Sequence, residues 1–159
     1  VLRLSPAEAR KLGLIVNKKN GRAKKKSRRP DSEVKNEPGK LTIIIYDVPP
    51  SLNDWDKWHY MKKAETKKQW EELIGALLSG KRKVKRVFHK PIVRINFYYN
   101  IDRDRDKDNM APKWIMDGLV KAGVLKDDNS KEVDLDWRVD PGTWEWCRTE
   151  IVVWEGKGV

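Results

Sequence analysis

Short apolar stretches alternate with long polar ones along the chain, and the spacing inside each apolar stretch predicts its element. Residues 41–46, LTIIIY, are β-branched and aromatic and are stopped by Pro49-Pro50, which predicts the first strand of the folded domain. Over residues 60–79, Met61, Ala64, Trp70, Leu73, Ile74 and Leu77 fall near helical spacing with lysines on the other side, which predicts an amphipathic helix. Residues 91–100, PIVRINFYYN, predict a strong second strand that Asp102–Asp108 extend or end. Residues 111–123 predict a helix with Pro112 in its first turn and Gly123 at its stop. Residues 131–139 alternate apolar and polar as a half-buried strand does, and the turn DPGTW leads to a last strand, CRTEIVVWE. The order is βα, βα, ββ, an α+β fold in which a small mixed sheet packs with two main helices.

The first 40 residues differ in kind. Ser5-Pro6 followed by Glu8 starts a short helix that Gly13 ends. Residues 17–40 hold almost nothing apolar beyond Ala23 and Val34 and are expected to be a disordered basic linker. Residues 1–40 are thus read as an arm and 41–159 as the folded domain. Charge sharpens the division: the arm carries 13 Lys/Arg against 4 Asp/Glu, whereas the domain carries 22 against 20. A basic arm on a nearly balanced domain suggests a polyanionic partner, nucleic acid ahead of a membrane surface, with a solubilising tail as the bland alternative. No apolar run approaches 18 residues, so no membrane-spanning helix is expected, and the start has no h-region of a signal peptide. One cysteine, Cys147, makes neither an internal disulfide nor a Cys-rich zinc site, which fits a reducing cytoplasm.

Candidate chemistry centres on DRDRDKDN, 102–109. In a strand, Asp102, Asp104, Asp106 and Asp108 would share one face, with Arg103, Arg105 and Lys107 on the other. Two carboxylates about 5 Å apart repel by roughly 3 kcal/mol at an effective dielectric of 20, so water, cations or a metal must offset the repulsion. Hard oxygen ligands without Cys or His suit Mg²⁺ or Mn²⁺. A solvent-exposed strand edge with neighbouring ion pairs is the competing reading. An EF-hand is excluded: a loop starting at Asp102 puts Lys107 where Gly is needed and Lys113 where Glu is needed. A second acidic pair, Asp127-Asp128, follows the predicted helix, and a chain that doubles back through GVLKDD would bring the two acidic ends together.

These residues resemble a known pattern. DKDNMAPKWIMDGLVKAGVLKDD is similar to the signature of the RusA family of Holliday junction resolvases: Asp-x-Asp-Asn, a nearby Lys, an Asp-Gly/Ala-Leu helix, then Gly and a closing Asp-Asp. VPPSLND resembles that family's Pro-Pro-Ser-x-Asn stretch after the first strand. The resemblance covers about residues 41–154 and is most specific over Asp106–Asp128. It implies a RusA-like fold, a homodimer, a bacterial and often phage-encoded cytoplasmic protein, and Mg²⁺-dependent cutting of four-way DNA junctions, with Mn²⁺ as a substitute. It assigns Asp106, Asp108 and Asp128 as catalytic metal ligands, Asp127 as a helper ligand, and Lys113 as the catalytic lysine. Lys113 departs from the pattern, since three residues rather than two separate it from Asn109; one residue turns a helical side chain by about 100°. Asn53 and the basic residues Lys62, Lys63, Lys67, Lys81, Arg82, Lys83, Lys85 and Arg86 would contact DNA, each lysine cluster having a solvated face as its alternative.

Two other functions compete. One is a nucleic-acid-binding protein on the same fold that does not cut; the other is a metal-dependent nuclease for forks or flaps. His59 and His89 lack partners at metal spacing and read as ordinary surface or half-buried histidines. Cys147 reads as a core residue of the last strand. Most tryptophans read as core, with Trp55 and Trp58 placed where they could stack on opened bases.

Overall fold

A computed structural model of the chain describes residues 27–79 and 87–156. Its strands are β1 (Glu33–Glu37), β2 (Lys40–Ile45), β3 (Ile92–Tyr99), β4 (Asp134–Thr143) and β5 (Arg148–Trp154). Its helices are α1 (Leu52–Lys57), α2 (Tyr60–Ser79) and α3 (Lys113–Lys121). The strands make one mixed sheet in the order β1-β2-β5-β3-β4, with β3 and β4 parallel and the other neighbours antiparallel. This is the α+β class expected from the order of elements.

Alternation places Leu41, Ile43 and Ile45 of β2, Val93, Ile95 and Phe97 of β3, and Ile151 and Val153 of β5 in the core, all at 1% exposure or less. Trp70, Ile74 and Leu78 of α2 and Trp114, Ile115 and Leu119 of α3 complete that core. Each such side chain contributes about 1.5–3 kcal/mol on leaving water. Met61, expected on the apolar stripe of α2, is exposed, because only the C-terminal half of the helix lies on the core.

The α3 stop is built as its sequence predicts. Gly123 takes φ +78 and donates to the Val120 carbonyl at 3.0 Å, while Val124 donates to Leu119 at 3.0 Å. Those two bonds satisfy carbonyls at the end of the helix and turn the chain back. The return carries it to β4, where Asp134 pairs with Ile92 at the start of β3.

Three expectations are corrected. Residues 33–37 belong to the sheet rather than to a linker: Glu37 pairs with Lys40 around Pro38-Gly39, and Gly39 takes the positive φ (+76) that the turn requires. Residues 52–57, expected as loop, form α1, capped by Ser51. β4 runs on to Thr143, through the segment expected to be a turn. The helix expected over 5–13 lies outside the described residues.

Candidate functional site

β3 ends at Tyr99, and the acidic segment leaves the sheet. Asp102–Asp106 follow an irregular path, and Lys107–Asn109 form a single 3-10 turn closed by Asn109 and Met110 N–H groups on the carbonyls of Asp106 and Lys107. The aspartates therefore do not line up on one face of a strand. Asp102, Asp104, Asp106 and Asp108 are all exposed. Among the described residues none of the four makes an ion pair.

The turn is anchored from β4. The Lys107 ammonium lies 3.2 Å from Asp136 and 5.2 Å from the centroid of the Trp137 ring. The Trp137 indole N–H donates to the Lys107 carbonyl at 3.2 Å. The hydrogen bond from Lys107, aided by Arg138, holds the Asp136 carboxyl below its usual pKa. Lys107 thus faces β4, and its neighbours Asp106 and Asp108 make no ion pair among the described residues. Trp137→Phe should keep most of the ring packing and lose the indole donor. Unfolding is then expected at a lower urea midpoint, by about 1 kcal/mol of stability for one lost hydrogen bond. An unchanged midpoint in the variant would show that the indole bond does not anchor the turn.

A second anchor joins the two stretches that carry the family resemblance. Ser51 caps α1: the Asp54 N–H donates to Ser51 Oγ at 3.2 Å, and the Ser51 hydroxyl donates to the Asp54 carboxylate at 2.8 Å. That fixes Asn53, whose backbone N–H donates to Asn109 Oδ1 at 3.0 Å across 56 residues. Thr149, the one buried polar residue among those described, holds the preceding loop by donating to the Asp47 carbonyl at 2.7 Å. Between the stretches lies a cleft of about 600 Å³ lined by Pro49, Pro50, Asn53 and Lys57 on one side and Arg103, Asp104, Arg105 and Asp106 on the other.

The other predicted residues divide. Lys113, in the first turn of α3, lies 3.8 Å from Asp117, which also takes Lys67 of α2 at 3.2 Å. Asp117 thereby gathers two of the expected basic residues, a joint that sequence reasoning missed although the residue stands in the quoted Asp-Gly-Leu. Lys62 stacks on Trp58 at 3.7 Å, and Lys63 lies 6.0 Å from the Trp55 ring. Trp55, partly buried, packs on buried Trp114 at 4.4 Å at the margin of the core. Lys81, Arg82, Lys83, Lys85 and Arg86 lie outside the described residues.

Asp127 turns inward on its own loop. It accepts from the Asp128 N–H and the Asn129 amide, both at 2.7 Å, and those bonds hold its carboxyl below the usual range. Among the described residues, no group of three or more His, Cys, Asp or Glu is drawn together to hold a metal ion. Asp106, Asp108, Asp127 and Asp128 are therefore not gathered into one set of ligands. The doubling back does occur, but what it brings to the turn is Asp136 and Trp137 of β4. As chemistry the carboxylates still suit a hard divalent cation: Asp106, Asp108 and Asp128 carry exposed oxygens.

His59 accepts from the Met61 N–H at 3.4 Å and stacks on Tyr60; His89 is exposed. Cys147 precedes β5, half-buried, and its thiol donates to Asn100. Among the described residues no helix is long and apolar enough to cross a membrane. No protein-family model matches the chain, and no curated protein matches it.

Proposed function

We propose that the chain is a Mg²⁺-dependent endonuclease of the RusA type that cuts branched DNA, with the four-way junction as its substrate. The observation that carries this reading is the bond between Asn53 and Asn109. The two stretches resembling the family signature meet across 56 residues and line one cleft, as parts of one site should. Asp106 and Asp108 of the acidic turn would hold the metal, and Asp128, with Asp127 next to it in sequence, would have to be drawn to them as it binds, since the two pairs stand apart in this structure. When bound, it supplies Lewis-acid stabilisation of the phosphoryl oxygens and a water of lowered pKa. Lys113, held at Asp117, would offset negative charge in the transition state. Lys62, Lys67 and the arm would contact flanking phosphates, with binding that weakens steeply in salt. A homodimer would present two sites to a junction of near twofold symmetry and give paired nicks.

The test is a nicking assay on a labelled four-way junction, a fork and a linear duplex, in Mg²⁺ or in EDTA. Symmetric Mg²⁺-dependent nicks confined to the junction are expected. Cutting of the fork in preference to the junction would move the assignment to a fork or flap nuclease. Tight junction binding with no cutting in Mg²⁺ or Mn²⁺ would leave a binding protein.

A further inference from the structure

A second hollow lies beside the cleft, at the same end of the sheet. Its volume is about 360 Å³, and Arg28, Pro30, Tyr46, Trp144, Trp146 and Arg148 line it. The pairing of Glu33 with Ile44 carries the residues before β1 past the end of β2, where Tyr46 stands. The Ser27 hydroxyl donates to the Glu145 carboxylate and ties that segment to the turn before β5. Trp144 is fixed by three contacts. Its indole N–H donates to Asp140 at 2.9 Å, its main-chain N–H donates to the Tyr99 carbonyl at 2.9 Å, and its ring meets the Tyr98 ring edge-on at 5.2 Å. The Arg148 guanidinium lies 4.3 Å from the Tyr98 centroid and 4.8 Å from that of Trp144. Held in this way, Trp144 is still 41% exposed.

These walls suit one class of ligand. A fixed aromatic ring with part of its area open offers a plane to another flat ring, and it loses little side-chain entropy on being covered. Arg28 and Arg148 make no ion pair among the described residues, and against the one lining carboxylate, Glu145, they leave the hollow net positive. A flat ring joined to an anion is a nucleotide. The nucleotide must be unpaired, because a base stacked within a duplex keeps its faces covered. A strand in the cleft passes close by. Tyr99, which accepts from Trp144, lines the cleft, and so does Val48, two residues after Tyr46.

We propose that this hollow is a pocket for one unpaired nucleotide of a nucleic-acid strand, with the base laid on Trp144 and the phosphate taken by Arg28 and Arg148. This deepens the nuclease reading and rests on it for nucleic acid as the partner. The pocket is measured by binding, and the nuclease reading by cutting. The experiment is fluorescence anisotropy of a short labelled single strand of mixed sequence, and of its fully paired duplex, titrated in EDTA over a series of KCl concentrations. The proteins are the full chain, Trp144→Ala, Trp144→Phe and Arg28→Ala, each with its urea midpoint measured. Trp144→Ala should weaken binding of the single strand about tenfold, the scale of one base stacked on one ring, and leave duplex binding nearly unchanged. Trp144→Phe should recover most of the loss, because a phenyl ring still offers a face. Arg28 is exposed, so Arg28→Ala should keep the midpoint while the slope of log K against log[KCl] for the single strand shrinks by about one contact. Full single-strand affinity in a folded Trp144→Ala would overturn the pocket, as would equal losses for single strand and duplex. If Trp144→Ala does not fold, Arg28→Ala decides, and unchanged affinity and slope there overturn the pocket. Saturable quenching of tryptophan fluorescence by free deoxynucleoside monophosphates, with no Trp144-dependent binding of the strand, would make a free nucleotide the occupant and overturn the strand. A chain whose single-strand binding depends on Trp144 yet makes no Mg²⁺-dependent nick in the junction would keep the pocket and refute the nuclease.

Discussion

Asp108→Asn is expected to lower Mg²⁺-dependent nicking of a four-way junction by about a thousandfold or more, while leaving the unfolding transition where it was. The substitution keeps shape and replaces a hard anionic oxygen with an amide that binds Mg²⁺ poorly. A thousandfold is about 4 kcal/mol of transition-state stabilisation, within what a metal-bound nucleophile and Lewis acid supply. The fold does not depend on this carboxylate. Asp108 is exposed, has no ion pair among the described residues, and lies in a turn anchored through Lys107 and Asn109 instead. Asp106→Asn should behave alike. Asp102→Asn, with the same charge change six residues upstream of Asp108, should cut within a fewfold of the unaltered chain. Junction affinity in EDTA should hold or rise in Asp108→Asn, because one negative charge is removed where phosphate approaches. Cutting by Asp108→Asn at the unaltered rate would remove the acidic turn from the mechanism.

The long elements were legible because periodicity alone specifies them: β2, α2, β3, α3 and β5 lie within a few residues of their predicted spans. β1 was not. EVKNE has one apolar residue, Val34, and its place in the sheet comes from backbone pairing with β2, which no pattern of side chains announces. A signal existed in Pro38-Gly39, standing between two stretches at hairpin spacing. α1 carried a similar short signal, Ser51 followed three residues later by Asp54, but six residues are too few to show a period. The acidic segment was misread for a different reason. Period two is shared by strands and by any alternation of opposite charges, and here the pairing of β3 with β4 already shifts register between Phe97 and Tyr99.

The candidate site was legible in its residue types but not in its contacts. Residue types and their spacing pointed to Asp106, Asp108 and the Pro-Pro-Ser stretch. The contacts that hold them lie far apart in sequence and follow from topology: Asn53 with Asn109, and Lys107 with Asp136 and Trp137 of the strand lying parallel to β3. Asp117 as the joint between Lys67 and Lys113 likewise needs the packing of α2 on α3 to be known.

That packing gives the second large effect, at Gly118. A Cβ built there would lie 2.8 Å from Cδ1 and 3.4 Å from Cβ of Ile74, which is fully buried on α2. Glycine inside a helix costs about 1 kcal/mol relative to alanine, and here the close approach of the two helices offsets it. Gly118→Val should therefore lower stability by about 3 kcal/mol, near the upper end for overpacking, and lower Tm by roughly 10 °C. Gly118→Ala should be far milder, because its gain in helix propensity opposes the clash with a side chain that can turn its end methyl. The contact itself is isolated by a cycle. Ile74→Val removes the Cδ1 methyl at a cost of about 1 kcal/mol, and Gly118→Ala made on that background should then stabilise, giving a coupling of about 1 kcal/mol. Strict additivity would mean that something other than Ile74 limits the side chain at residue 118. Valine there also pushes α3 from α2 next to Asp117, which holds Lys67 at 3.2 Å and Lys113 at 3.8 Å. Any cutting left in Gly118→Val at temperatures below its lowered Tm should resemble that of Lys113→Ala, whereas wild-type cutting in the folded variant would show that Lys113 works without the helix–helix joint.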